Sequence, residues 1–179
     1  MTVPLKILVL STSLNSNSKS RGIARAIQGI LTQRGAVVDW VDLQEHDLPF
    51  CDGQDSNQDP GALALRKKVD EADGIVMTAP VYNYDLNAAA KNFIELTGRA
   101  WTGKVVALAV AAGGQRSGMS PLGMMNSLML DFRCIVLPRF VYLSRGSYTD
   151  SGEPNEEAMG RIEELSAELL RISGALRES

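Results

Sequence analysis

Four apolar runs of strand length, each followed by a helical pattern, restrict this chain more than any other feature of its sequence. The runs are residues 7–10 (ILVL), 36–43 (AVVDWVDL), 74–79 (GIVMTA) and 104–112 (KVVALAVAA). Apolar residues then recur at helical spacing: Ile23, Ile27, Ile30 and Leu31 after the first run, and Leu65, Val69 and Ala72 after the second. Phe93 and Ile94 follow the third run, and Leu122, Met125, Met129 and Phe132 the fourth. Boundary signals agree: Gly35 stops the first helix, while Asp59-Pro60 and Ser120-Pro121 start later ones. Two short segments, 134–137 and 140–143, complete the strands, and Pro138 between them predicts an edge position. A last helix starts near Pro154-Asn155-Glu156-Glu157 and carries Ile162, Leu165, Leu169, Ile172 and Leu176 on one stripe. Asp39 and Asp42 interrupt the second run as on a strand near a sheet edge, and Pro80 is expected to end the third. Five β-α units in series imply an α/β fold, a parallel sheet with helices on both faces.

At 179 residues the chain fits one domain, residues 1–179, with a single sizeable core. A net charge of -3 argues against a nucleic-acid or anionic-membrane partner. No apolar run approaches the ~20 residues of a membrane span, and the N-terminus lacks the pattern of a signal peptide. Cys51 and Cys134 stand far apart and are expected as reduced thiols of a cytoplasmic protein. With His46 the one histidine, no ligand cluster for a metal can be assembled.

In open sheets of this kind ligands sit beyond the carboxyl ends of the strands. That singles out residues 11–20, 80–87 and 112–120. In the first loop Ser11, Thr12, Ser13, Asn15, Ser16, Asn17, Ser18 and Ser20 crowd ahead of a helix start. One N-cap needs one such residue, so the excess predicts an anion, and specifically a phosphate, held by free helix amides and hydroxyls. Lys19, Arg21 and Arg25 stand nearby either to offset its charge or simply solvated. Neither G-x-x-x-x-G-K-[ST] nor G-x-G-x-x-G occurs there, which disfavours a triphosphate or dinucleotide loop. The second loop, Pro80-Val81-Tyr82-Asn83-Tyr84, leaves two readings open: a surface for a flat polar heterocycle, or an aromatic-rimmed turn. The third, Gly113-Gly114-Gln115-Arg116, allows close backbone approach but equally serves a tight turn; Arg116 is expected to be solvated.

Residues 7–20 (ILVLSTSLNSNSKS), 79–95 (APVYNYDLNAAAKNFIE) and the Gly113-Gly114 pair together resemble the NADPH-dependent FMN reductase family of flavodoxin-like proteins, which includes quinone, chromate and azo-dye reductases. Ser13, Asn15, Ser18 and Ser20 fall where a G-S-x-R-x-x-S-x-N pattern has serine, arginine, serine and asparagine; Thr12 replaces its glycine. The resemblance implies a flavodoxin-like three-layer sandwich with a five-stranded parallel sheet of order 2-1-3-4-5. It implies bound FMN, with the phosphate in the first loop, the ring against Pro80, Val81, Tyr82 and Asn83, and Gly113 and Gly114 on its other side. Ser11, Ser13, Asn15, Ser18, Lys19, Ser20, Pro80, Val81, Tyr82, Asn83, Tyr84, Gly113 and Gly114 are thus the expected cofactor-binding residues. NAD(P)H would donate hydride to flavin N5 in a ping-pong cycle, and a quinone, azo compound, metal oxyanion or free flavin would take the electrons. No side chain is then required as a catalyst, and a homodimer or homotetramer is implied. A flavodoxin-type electron carrier and a flavin-binding sensor are the rival readings. The carrier's T-x-T-G-x-T loop is absent.

Overall fold

The computed structural model describes residues 3–177. In chain order its elements are β1 (Lys6–Ser11), α1 (Lys19–Gln33), β2 (Val37–Asp42), α2 (Pro60–Asp70), β3 (Gly74–Tyr82), β4 (Asp85–Leu86) and α3 (Ala88–Thr97). They continue with β5 (Val105–Ala111), α4 (Leu122–Phe132), β6 (Ile135–Val136), β7 (Val141–Leu143) and α5 (Glu156–Arg177). The sheet runs β2-β1-β3-β5, and β6 and β7 both pair with the free side of β5. Taken as one interrupted strand, β6 and β7 complete the 2-1-3-4-5 order of flavodoxin-like doubly wound sheets. The sheet has seven strands rather than five for two reasons. Pro138 lies in the break between β6 and β7, and β4 folds back antiparallel on the end of β3.

Alternate residues of the central strands serve opposite layers, which is why their sequences are apolar throughout. Ile7 and Val9 pack with Ile23, Ile27 and Leu31 of α1 and Ile162 and Leu169 of α5. Leu8 and Leu10 face the other layer, in one continuous core with Leu65 and Val69 of α2, Phe93 and Ile94 of α3, and Leu128 of α4. Complete burial of one such side chain is worth roughly 1.5–3 kcal/mol. α5 packs directly on the sheet at Gly74, where a Cβ would stand 2.3 Å from the Ser173 hydroxyl of α5 and 3.2 Å from side chains of Ile7 and Leu169.

Two expectations need correction. Pro80 does not end the third strand: β3 continues to Tyr82, with Pro80 opposite Ala111. The Thr78 carbonyl faces β1 and accepts the Thr12 N–H at 3.0 Å, so Pro80 faces the same side by alternation. β1 has already ended there, and the missing proline N–H costs no ladder bond. On α4 the buried face is Met124, Met125 and Leu128, whereas Leu122 and Met129 are exposed. Met125 is common to the expected and the observed face and Phe132 packs against the core, so the stripe is rotated by part of a turn, an easy shift in a helix apolar on both faces. No described helix is long and apolar enough to cross a membrane.

Candidate functional site

The carboxyl ends of β1, β3, β5 and β7 enclose one cavity of about 570 Å³. That lies within the range of cofactor and small-molecule sites, about 300–1,000 Å³. Ser13, Asn15, Ser18, Lys19 and Ser20 line it from the first loop, Pro80, Val81 and Tyr82 from β3, and Gly113 from the loop after β5. Nine of the thirteen expected residues therefore meet at one place. Ser11, Asn83, Tyr84 and Gly114 are not among the lining residues.

The first loop is wired before any ligand is considered. Ser18 is the N-cap of α1, its hydroxyl accepting the Arg21 N–H at 3.2 Å and lying 2.9 Å from the Ser20 hydroxyl. Ser13 accepts the Asn15 N–H at 3.3 Å, and Asn15 accepts the Asn17 N–H at 3.0 Å, two small side-chain turns. Thr12 turns inward: its hydroxyl donates toward the Asn87 amide oxygen at 2.7 Å, and the Asn87 amide donates back to the Thr12 carbonyl at 2.7 Å. Arg21 grips the back of the loop. Its guanidinium donates to the carbonyls of Ser13, Asn15 and Ser16 at 3.1, 2.7 and 3.1 Å and to both carboxylate oxygens of buried Asp42 at the end of β2. Arg25 lies 3.6 Å from the Trp40 ring centroid. Neither arginine lines the cavity. The α1 N-terminus still presents its first amides, which have no partner within a helix, and Lys19 adds a cation at the rim. Ser11 lies inside β1, fully buried, with a hydroxyl that has no hydrogen-bond partner.

The second loop is a tight hairpin. Val81 pairs with Leu86 and Tyr82 with Asp85, and Asn83 and Tyr84 between them have φ of 51° and 69°. That is the two-residue turn whose twist suits a hairpin, here built without glycine. It projects Tyr82 and Tyr84, 52% and 57% exposed, beyond the sheet. Only Tyr82 reaches the cavity.

At Gly113 neither backbone nor packing demands glycine. Its φ is not in the left-handed region, and a Cβ would meet no atom within 4 Å. The same holds for Gly114, whose carbonyl accepts a hydrogen bond from the Tyr142 hydroxyl. What Gly113 leaves is an uncovered stretch of backbone facing the cavity. Arg116 is exposed and outside the lining.

The fourth wall, after β7, carries residues that sequence reasoning missed: Arg145, Tyr148, Thr149, Asp150 and Gly152. No motif marks them. The topological rule would have found them, since this loop also lies beyond a strand's carboxyl end. Lys19 ties it to α1 by donating to the Gly152 carbonyl at 3.0 Å with its ammonium 5.1 Å from the Tyr148 ring centroid. Burial pushes the Tyr148 phenol up to about 12, so it stays protonated at neutral pH. Burial likewise raises the Cys134 thiol to about 11, far from the cavity and hydrogen-bonded to the Trp101 carbonyl. Among the described residues no group of three His, Cys, Asp or Glu side chains is placed to hold a metal ion.

Comparison with known proteins gives consistent matches. Residues 5–147 match the model of a family described as NADPH-dependent FMN reductase. An NADPH azoreductase of Bacillus sp. (strain OY1-2) is 27% identical over 97% of this chain and 96% of its own. An NAD(P)H:quinone oxidoreductase of Solanum tuberosum is 30% identical over 76% of this chain and 74% of its own. Among solved structures, the flavoenzyme NAD(P)H:(acceptor) oxidoreductase FerB from Paracoccus denitrificans superposes with a TM-score of 0.75 at 18% identity, covering 94% of this chain and 98% of that one.

Proposed function

The chain belongs to the NADPH-dependent FMN reductase family, and from that premise we propose that it is an FMN-dependent oxidoreductase that takes electrons from NAD(P)H. Its acceptor is a small molecule of the quinone or azo class, as the names of its relatives indicate for those proteins. The observation that carries the reading is convergence: the hydroxyl loop, the β3 hairpin and Gly113 all open on one cavity. The residues suit FMN. Uncovered backbone at Gly113 leaves room for a flat ring that a Cβ would crowd, and the α1 N-terminus suits a phosphate.

In this reading Ser13, Asn15, Ser18, Lys19 and Ser20 hold the phosphate. Pro80, Val81, Tyr82 and Gly113 bracket the ring, and Asn83 and Tyr84 fix the hairpin that carries Tyr82. Ser11 closes β1 beneath the phosphate loop, and the Gly114 carbonyl holds the Tyr142 hydroxyl beside Gly113. When bound, FMN supplies the hydride- and electron-accepting centre, so the chain needs no side-chain nucleophile or acid. The chain's part is to fix orientation with preformed walls and to leave one face open to the donor. Arg21 keeps the loop carbonyls turned toward itself, which keeps those acceptors away from an anionic ligand. Two free cysteines are consistent with a cytoplasmic setting. Exposed Leu122, Met129 and Leu130 on α4 support a homodimer or homotetramer, to be measured by light scattering.

The decisive experiment is the absorbance spectrum of the purified protein with FMN, before and after anaerobic NADPH. Flavin bands that bleach are expected. Bands that persist under both NADPH and NADH would favour a carrier or sensor, and a protein that takes up no FMN would overturn the site.

A further inference from the structure

The cations around the cavity are not equivalent. Arg21 is spent on Asp42 and three loop carbonyls. Lys19 is shared between the Gly152 carbonyl and the Tyr148 ring. Arg145 lines the cavity, is exposed, and among the described residues has no carboxylate within 4 Å and no side-chain hydrogen bond. Its backbone, by contrast, is held on both sides. The Ser144 N–H donates to the Ser147 hydroxyl at 3.2 Å and the Ser147 N–H to the Ser144 carbonyl at 2.8 Å, and Asn155 donates to the Gly146 carbonyl at 3.2 Å and the Ser147 carbonyl at 2.9 Å. A fixed backbone with an unspent guanidinium at a cavity suits an anion, and the planar fork of arginine matches phosphate oxygens two at a time. Asp150, the acid in the same lining, makes no ion pair with it and disfavours an arriving anion unless a cation offsets it.

We propose that Arg145 reads a phosphate monoester in this cavity and so sets the preference for a phosphorylated over an unphosphorylated ligand. The inference rests on the flavin-reductase reading. The monoester has two possible sources there, the 5′-phosphate of the flavin and the 2′-phosphate of the nicotinamide donor.

The test uses the full chain and its Arg145→Gln and Arg145→Lys variants. One arm measures dissociation constants for FMN and riboflavin by fluorescence quenching. The other compares kcat/KM for NADPH and NADH. Arg145→Gln is expected to lower one of these two preference ratios by roughly tenfold, with Arg145→Lys between it and the parent. A change in the FMN-to-riboflavin ratio assigns the flavin phosphate, and a change in the NADPH-to-NADH ratio assigns the donor. The melting temperature should not move, because the side chain has no protein partner to lose. Both ratios within twofold of the parent overturn the inference while leaving the function intact. A parent chain that binds neither FMN nor riboflavin removes the function itself and the inference with it.

Discussion

Two walls of the cavity, the loop after β1 and the loop after β7, are both held in place, but the first leans on a distant contact and the second mainly on local ones. The first depends on a contact from far along the chain: Asp42, only 3% exposed at its side chain, pins Arg21, and Arg21 pins the loop. The second is held mostly by neighbours, through the Ser144–Ser147 pair, the Thr149 N–H to Glu153 carbonyl bond at 2.8 Å, and Asn155, with the Lys19 bond to the Gly152 carbonyl as its distant tie. A loop wired from a distance fails together with the sheet that supplies its anchor. One wired locally can fail alone. The comparison predicts a large, shared loss from damage to the first wall and a small, confined loss from damage to the second.

The largest effect should come from Asp42→Ala. Removing the carboxylate leaves the Arg21 guanidinium, 15% exposed at its side chain, without its counter-charge and also takes away the acceptor for the Gln44 N–H. Breaking a buried pair from one side costs about 3 kcal/mol or more. A urea denaturation midpoint that falls accordingly, with weakened FMN binding, would support wiring from a distance. An unchanged midpoint would show that the loop holds itself.

Next in size is the double change Ser13→Ala with Ser18→Ala, expected to weaken FMN binding at least tenfold, about 1.4 kcal/mol. Flavin titration reads it directly, and riboflavin as a control should lose less. Equal affinity in parent and variant would remove the phosphate from this loop. Loss of the N-cap hydroxyl also costs about 1 kcal/mol of helix stability, so the titration belongs at a temperature where circular dichroism shows both chains folded.

Asn155→Ala tests the other wall. Asn155 caps α5 by accepting the Ala158 N–H at 2.9 Å and steadies the Gly146 carbonyl. The expected cost is about 1 kcal/mol, with hydrogen exchange speeding over residues 144–155 and not over residues 12–18. Exchange that rises equally in both loops would erase the distinction between them.

The same contrast explains what the sequence disclosed. Strands and layers were legible because apolar spacing is a local signal and because residues 7–10 and 104–112 must be buried on both faces. The first loop was legible for a related reason: hydroxyls and amides in such excess have few other uses. The roles of those residues were less visible. Ser11 and Thr12 look like their neighbours in sequence, but Ser11 closes β1 and Thr12 is paired with Asn87, and both are fully buried. Arg21 reads as one more loop cation until Asp42, on another strand, is brought beside it. Arg145 and Tyr148 belong to a segment with no motif, and only the arrangement of strand ends assigns them to the cavity. Pro80 misled because its cost depends on which neighbour has already ended, a fact of register that no single strand contains.

The smallest expected effect on stability is the sharpest test of what the third loop is for. Gly113→Ala adds one methyl group where no protein atom lies within 4 Å and where φ suits any residue. Surface substitutions of this sort change stability by no more than about 0.5 kcal/mol. If glycine stands there only to make a turn, alanine should change neither the melting temperature nor flavin binding. If it stands there to let a ring approach the backbone, the methyl occupies the ring's place. FMN and riboflavin affinities should then fall together, since both carry the same ring, while the melting temperature of the flavin-free protein stays put. That joint loss separates the ring wall from the phosphate loop, whose serine variants weaken FMN more than riboflavin. A Gly113→Ala protein that binds both flavins like its parent would move the ring away from the β5 end and leave the β3 hairpin to hold it alone.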